Sequence, residues 1–346
     1  MKPLFIALKG ALLFLILSLP TGPSWALSFN QVFIFGDSFS DAGNNAILFD
    51  TYENRARTPV PIASPAFIPT APYESNRYSN GPVWAEQFAT RLGLSATASL
   101  SGGTDYAYGG ARTGPLGTTL PTPPSLLDQV SNQFLQTYHG NAPTDALYVL
   151  AGGGNDARDA FKTFVEGGDP TQIISDYVNN MNSLITTLAA ANATQIVVWN
   201  VPDIGLAPAI AVKGSGASAA ATSLARRMND GLDAVLDTLQ TTLAVDIIRF
   251  DTFGLIQNLV DNSIAYGLDG STIPCAFEVR CIANPDGRLF WDGVHLTTAG
   301  YSRVADAMLQ AIPEPATLLL LILGLSLVLI RRRSTYFQSG VAALPQ

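Results

Sequence analysis

Apolar and polar positions divide the middle of the chain into two alternating patterns. Val32–Phe35, Ala146–Ala151, Gln195–Asn200 and Val245–Phe250 are short runs rich in β-branched or aromatic residues, the pattern of strands covered on both faces. Between them the spacing changes from continuous to helical. Ile174, Tyr177, Val178, Met181, Ile185 and Leu188 recur at three- and four-residue intervals, as do Leu224, Met228, Leu232, Val235 and Leu239. A last stripe, Tyr301, Val304, Ala305, Met308 and Ile312, predicts a further helix with Thr297 at its N-cap. Strands alternating with helices predict a parallel sheet with helices on both faces. Polar or proline-rich stretches at 50–81, 112–126 and 262–288 interrupt the alternation. Loops of that length in a compact domain carry function or lie over a site.

The two ends follow other rules. Lys2 and Lys9 precede an apolar run, Ala11 to Leu19, which Pro20 and Gly22 break before the small-residue pattern Ser24-Trp25-Ala26. Residues 1–26 therefore read as a secretory signal; the alternative is a retained anchor, for which the run is shorter than the ~20 residues a span prefers. At the other end, Pro313-Glu314-Pro315 precedes an apolar run from Ala316 to Ile330, and Arg331-Arg332-Arg333 follows it with the positive flank that holds one end in the cytoplasm. Residues 27–312 remain as one large α/β domain.

Charge and cysteine content narrow the function classes. The formal net charge is −8, and Lys2, Lys9 and the three terminal arginines belong to the ends, so the domain itself is more acidic still. That balance argues against a nucleic-acid partner. Cys275 and Cys281 are a close pair, which in an exported chain reads as a disulfide closing a small loop rather than a redox or metal site. His139 and His295 are the two histidines, too few for a His-based metal site.

Candidate chemistry collects where the predicted strands end, the edge at which open parallel sheets bind ligands. "FIFGDSFSDAGNN" runs from the first strand into Gly36, Asp37 and Ser38. A serine there is either a helix cap or a nucleophile facing backbone N–H groups and a positive helix end. A serine nucleophile needs a base. In "FWDGVHLTTAGY", Asp292 precedes His295 by three residues, a spacing that lets the carboxylate reach imidazole Nδ1 and leaves Nε2 for a substrate; an ordinary capped turn has the same spacing. His139, in "TYHGNAP", has no acid nearby in sequence and reads as a surface residue. "LAGGGNDARD" places Asn155 just past the second strand, and "DYAYGGART" supplies Gly109 and Gly110. Both blocks offer donors for an oxyanion, or plain turns. The phosphate-cradling glycine patterns are absent, as is Gly-x-Ser-x-Gly.

In order, "FGDSFSDAGN", "YAYGGA", "GGGND" and "FWDGVHLT" resemble the four blocks of the GDSL, or SGNH, family of serine esterases and lipases, over about residues 30–312. "SNGPVWAEQFA", "NVPDIGLAP" and "FDTFGLIQ" look like its phospholipase and thermolabile-hemolysin-like branch. The resemblance implies a flavodoxin-like three-layer α/β/α fold with a central parallel sheet and hydrolysis of carboxylic esters without metal or cofactor. Carried over by block, Ser38 is the nucleophile, His295 the base and Asp292 its partner. The Ser38 N–H, the Gly110 N–H and the Asn155 side chain form the oxyanion hole. Two positions depart from the family pattern: Phe39 stands where leucine is usual, and Leu296 follows the histidine where proline is common.

The tail from Pro313 resembles the PEP-CTERM sorting signal, although thirteen residues follow Arg333 where that signal usually ends sooner. It implies export in a Gram-negative bacterium, at least transient anchoring in the inner membrane by the C-terminal helix, and processing by signal peptidase and an exosortase-type enzyme. The expected substrate is a small-molecule, lipid or acylated-glycan ester. An acyltransferase or polysaccharide deacetylase on the same site, and a non-catalytic surface-binding module, remain as alternatives.

Overall fold

The computed structural model describes residues 29–51, 61–115, 122–270 and 272–312, so the expectations for residues 1–26 and 313–346 lie outside the described residues. Four strands, β1 (Gln31–Gly36), β2 (Ala146–Ala151), β3 (Gln195–Trp199) and β4 (Asp246–Phe250), form a parallel sheet in the order β1-β2-β3-β4. β1 and β2 align from Gln31↔Ala146 to Gly36↔Ala151, which brings Gly36 and Ala151 to the same edge.

One element was not legible as a strand. Residues 104–108 lie along the other side of β1: Ile34 N–H donates to Thr104 O at 3.1 Å, and the N–H groups of Tyr106 and Tyr108 donate to Ile34 O at 2.7 Å and Gly36 O at 3.2 Å. With that segment the chain order across the sheet is 2-1-3-4-5, the flavodoxin-like order, in which winding reverses beside β1. The switch point therefore opens at the end of β1, where Ser38 lies.

The longer helices are α1 (Asn44–Thr51), α2 (Trp84–Arg91), α3 (Gly154–Val165), α4 (Thr171–Ala190), α5 (Ser215–Thr242), α6 (Thr252–Asp261) and α7 (Thr298–Ala311). Strand residues alternate between two helical layers. Phe33, Phe35, Tyr148, Leu150 and Ile196 join a core with Phe161 of α3, Tyr177 and Met181 of α4, and Leu224 and Met228 of α5. On the opposite face Trp199 meets Trp84 of α2, ring centroids 4.4 Å apart, and donates from Nε1 to Met308 Sδ of α7 at 3.2 Å. The predicted stripes are the buried faces of α4, α5 and α7, and Thr297 caps α7 by accepting the Gly300 N–H at 3.0 Å. β3 stops at Trp199, one residue before the sequence reading, because the Asn200 side chain turns to α6, accepting the Phe253 N–H and donating to Asp251, both at 2.8 Å.

Candidate active site

Ser38 is held by the way β1 ends. A Cβ on Gly36 would come within 2.6 Å of Ala151 O and 2.9 Å of Ser40 Oγ, so only glycine lets the chain pass there. Gln129, wholly buried, grips the same peptide: its Oε1 accepts the Gly36 N–H and its Nε2 donates to Gly36 O, both at 2.9 Å. The chain then turns tightly, with the N–H groups of Ser40 and Asp41 donating to Asp37 O at 3.0 Å. Asp37 itself is buried, which pushes its carboxyl up to about 6, against the opposing hydrogen bond from the Phe39 N–H.

His295 approaches from the other end of the sequence. Its Nε2 lies 2.7 Å from Ser38 Oγ, and its Nδ1 lies 2.7 Å from Asp292 Oδ2. Asp292 Oδ1 accepts the N–H groups of Val294 and His295 at 2.8 Å, and Oδ2 also accepts the Tyr73 hydroxyl at 2.9 Å. The carboxylate is thus saturated with donors and fixed in orientation. Leu296 supplies no ring to stiffen this turn. Backbone bonds do so instead, from the Trp291 N–H to His295 O at 2.7 Å and from the Thr297 N–H to Leu289 O at 2.8 Å. The rings of Tyr78 and Phe39 flank the imidazole at 5.2 and 5.9 Å between centroids.

The two glycines at 109 and 110 are not equivalent. The Gly109 N–H donates to Asp41 Oδ2 at 2.9 Å, and Gly109 O accepts from Asn45 Nδ2 at 2.8 Å. Gly110 adopts φ +84°, a left-handed conformation that favours glycine. Its N–H, like that of Ser38, has no protein partner among the described residues. Asn155, in the first turn of α3, donates from Nδ2 to Ala111 O at 2.9 Å and accepts from Arg158 Nη1 at 3.0 Å. Ser38, Gly110, Asn155 and His295 all line one cavity of about 490 Å³. A second, mostly apolar cavity of about 50 Å³, walled by Phe39, Trp199, Ile204 and Phe290, meets it at Ser38, Asn155 and Arg158.

Residues 32–308 match the family described as GDSL-like Lipase/Acylhydrolase, a span that contains every residue of this arrangement. The chain belongs to that family. Esterase EstA of Pseudomonas aeruginosa is 28% identical over 89% of this chain and 50% of its own length, so the chain spans about half of that relative. A GDSL esterase/lipase of Arabidopsis thaliana is 25% identical over 80% of this chain and 86% of its own. The phosphatidylcholine-sterol acyltransferase of Aeromonas hydrophila is 29% identical over 60% of this chain and 54% of its own.

Within this GDSL-like chain the remaining sequence expectations have definite places. His139 is exposed in a turn at φ +52°. Cys275 and Cys281 are joined as a disulfide. Sequence reasoning missed Tyr73, Gln129, Asp41, Asn45 and Arg158. Arg158 had a signal, since it follows Asn155 by three residues on a helix and so shares its face. Tyr73 had none, because its partner lies 219 residues away.

Proposed function

We propose that this chain is an exported serine esterase that hydrolyses carboxylic esters through an acyl intermediate on Ser38. The observation that carries the reading is the unbroken chain of short contacts from Asp292 through His295 to Ser38, 2.7 Å at each step, ending at the mouth of two cavities.

His295 Nε2 takes the Ser38 proton as Oγ attacks the ester carbon, and Asp292 stabilises the imidazolium while holding Nδ1–H. Negative charge gathers on the former carbonyl oxygen, which the Ser38 N–H, the Gly110 N–H and the second hydrogen of Asn155 Nδ2 receive. Gly109 is not in this set because Asp41 already takes its N–H. The imidazolium then returns its proton to the leaving alcohol, and water repeats the sequence to release the acid. The alcohol must therefore occupy the cavity that His295 lines, the larger one, while the smaller apolar cavity takes a short acyl group.

An acyltransferase differs only in that an alcohol replaces water at the second step, and a cavity of about 490 Å³ has room for an acceptor. Export is supported by the signal-like residues 1–26, and a PEP-CTERM-like tail from Pro313 by its Pro-Glu-Pro, apolar and triple-arginine order. The phospholipase and thermolabile-hemolysin-like branch is supported by the blocks around Trp84, Pro202 and Phe253. Turnover of p-nitrophenyl acetate tests the reading: Ser38→Ala should lower kcat on the order of 10⁶-fold with an unchanged circular-dichroism spectrum, and comparable turnover by that variant would refute it.

A further inference from the structure

The walls of the larger cavity carry charge of one sign. Arg112, Arg158 and no carboxylate stand among the described residues that line it, in a chain whose net charge is −8. The two arginines differ in what they are bound to. Arg112 is paired bidentately with Asp159, at 2.8 and 3.0 Å, and gives Nη1–H to Gly110 O at 2.8 Å. Arg158 makes one hydrogen bond among the described residues, from Nη1 to Asn155 Oδ1 at 3.0 Å.

The guanidinium of Arg158 is therefore half-buried with most of its donors unpaired. Burial, with the like charge of Arg112, depresses its pKa. Asp159, Asp37 and Asp292 attract it through space, but each is engaged elsewhere: Asp159 by Arg112, Asp37 by the Phe39 N–H, and Asp292 by His295 and Tyr73. A cation withdrawn from water without a bonded anion is costly, and an anionic ligand in the cavity would supply what the protein does not.

This deepens the esterase reading and rests on it, since the proton that His295 returns places the alcohol portion of the ester in the same cavity. We propose that Arg158 is a specificity-determining residue that binds an anionic group, a carboxylate or a phosphate, on the alcohol portion of the substrate. A purely structural Arg158 would only orient Asn155, and its loss would then slow neutral and anionic esters alike.

The experiment compares three acetates of similar shape, 4-acetoxybenzoate, 4-acetoxyphenyl phosphate and neutral 4-acetoxybenzamide, each kcat/KM being divided by the ester's own hydroxide-catalysed rate. The wild-type chain should favour at least one anionic acetate over the amide by about tenfold at low salt, chiefly through KM, as one charge-assisted hydrogen bond would give. The favoured arm identifies carboxylate or phosphate. Arg158→Gln should lower all three rates yet bring the anionic-to-neutral ratio to about one, and Arg158→Lys should restore much of that ratio. A ratio near one in the wild type, or an unchanged ratio in Arg158→Gln, would overturn the inference. Calorimetric titration of Ser38→Ala with 4-acetoxybenzoate, 4-acetoxyphenyl phosphate and 4-acetoxybenzamide separates the two levels. Preferential binding of an anion without any wild-type turnover would sink the esterase reading alone, whereas turnover of the amide without anion preference would sink this inference alone.

Discussion

Tyr73 holds the outer oxygen of Asp292, and the hydroxyl comes from a loop whose course the sequence does not reveal. Its neighbours fix that loop: the Tyr73 N–H donates to Arg77 O at 2.9 Å, and Arg77 is ion-paired with Glu86 of α2. Tyr73→Phe removes one donor to a charged acceptor, a loss of about 1.5–3 kcal/mol, so kcat should fall roughly 10- to 100-fold with KM little changed in steady-state assays. Ser38, Asp292 and His295 stood out as candidates because a strand end and a three-residue spacing are local signals, and the four-block resemblance gave them roles, whereas Tyr73 depends on a contact 219 residues long. Asp37 makes a second prediction. Its carboxyl sits near 6 in the folded chain against 3.8 as the reference, so the folded state binds the proton more tightly and loses stability as pH rises from 3.8 to 6. Relative to Asp37→Asn, the wild type should gain on the order of 2–3 kcal/mol when urea denaturation is moved from pH 7 to pH 4.

At the scale of elements, the end of β1 sets the site because three segments converge on it. Gln129 grips Gly36, the 104–108 segment runs beside it, and Asp41 and Asn45 bind both ends of Gly109. Gln129→Leu leaves the Gly36 N–H buried without its acceptor and should cost about 2–3 kcal/mol in chemical denaturation. Gly109→Ala is expected to reach the imidazole as well, because a Cβ there would stand 2.1 Å from the Tyr78 ring that flanks His295; slower acetate hydrolysis together with a lower melting temperature is the expected result. The four apolar strands could be read from composition since both faces are covered. Residues 104–108 could not, because "TDYAY" contains Asp105, which is buried and turns its Oδ1 to the Ala107 N–H at 2.8 Å. An acid in such a run reads as loop until the partner is seen.

Across the whole molecule, Ser38 and His295, 257 residues apart in sequence, meet at one sheet edge, and the loop closed by Cys275 and Cys281 braces that meeting. The Cys275 and Ala276 N–H groups donate to Phe290 O and Trp291 O at 2.9 and 2.8 Å, just before Asp292, and Cys275 packs with Ile62, Tyr73 and Trp291. Reduction should cost roughly 2 kcal/mol by loop entropy, visible as a lower unfolding midpoint with reductant present, and should weaken the Tyr73 contact. The central claim is that Ser38 is an activated nucleophile, and its most direct test is intact and peptide mass spectrometry after exposure to a fluorophosphonate. A single adduct on the peptide carrying Ser38, absent from Ser38→Ala and formed far more slowly in His295→Gln, is the predicted result. A folded wild-type chain whose Ser38 peptide stays unmodified would contradict it.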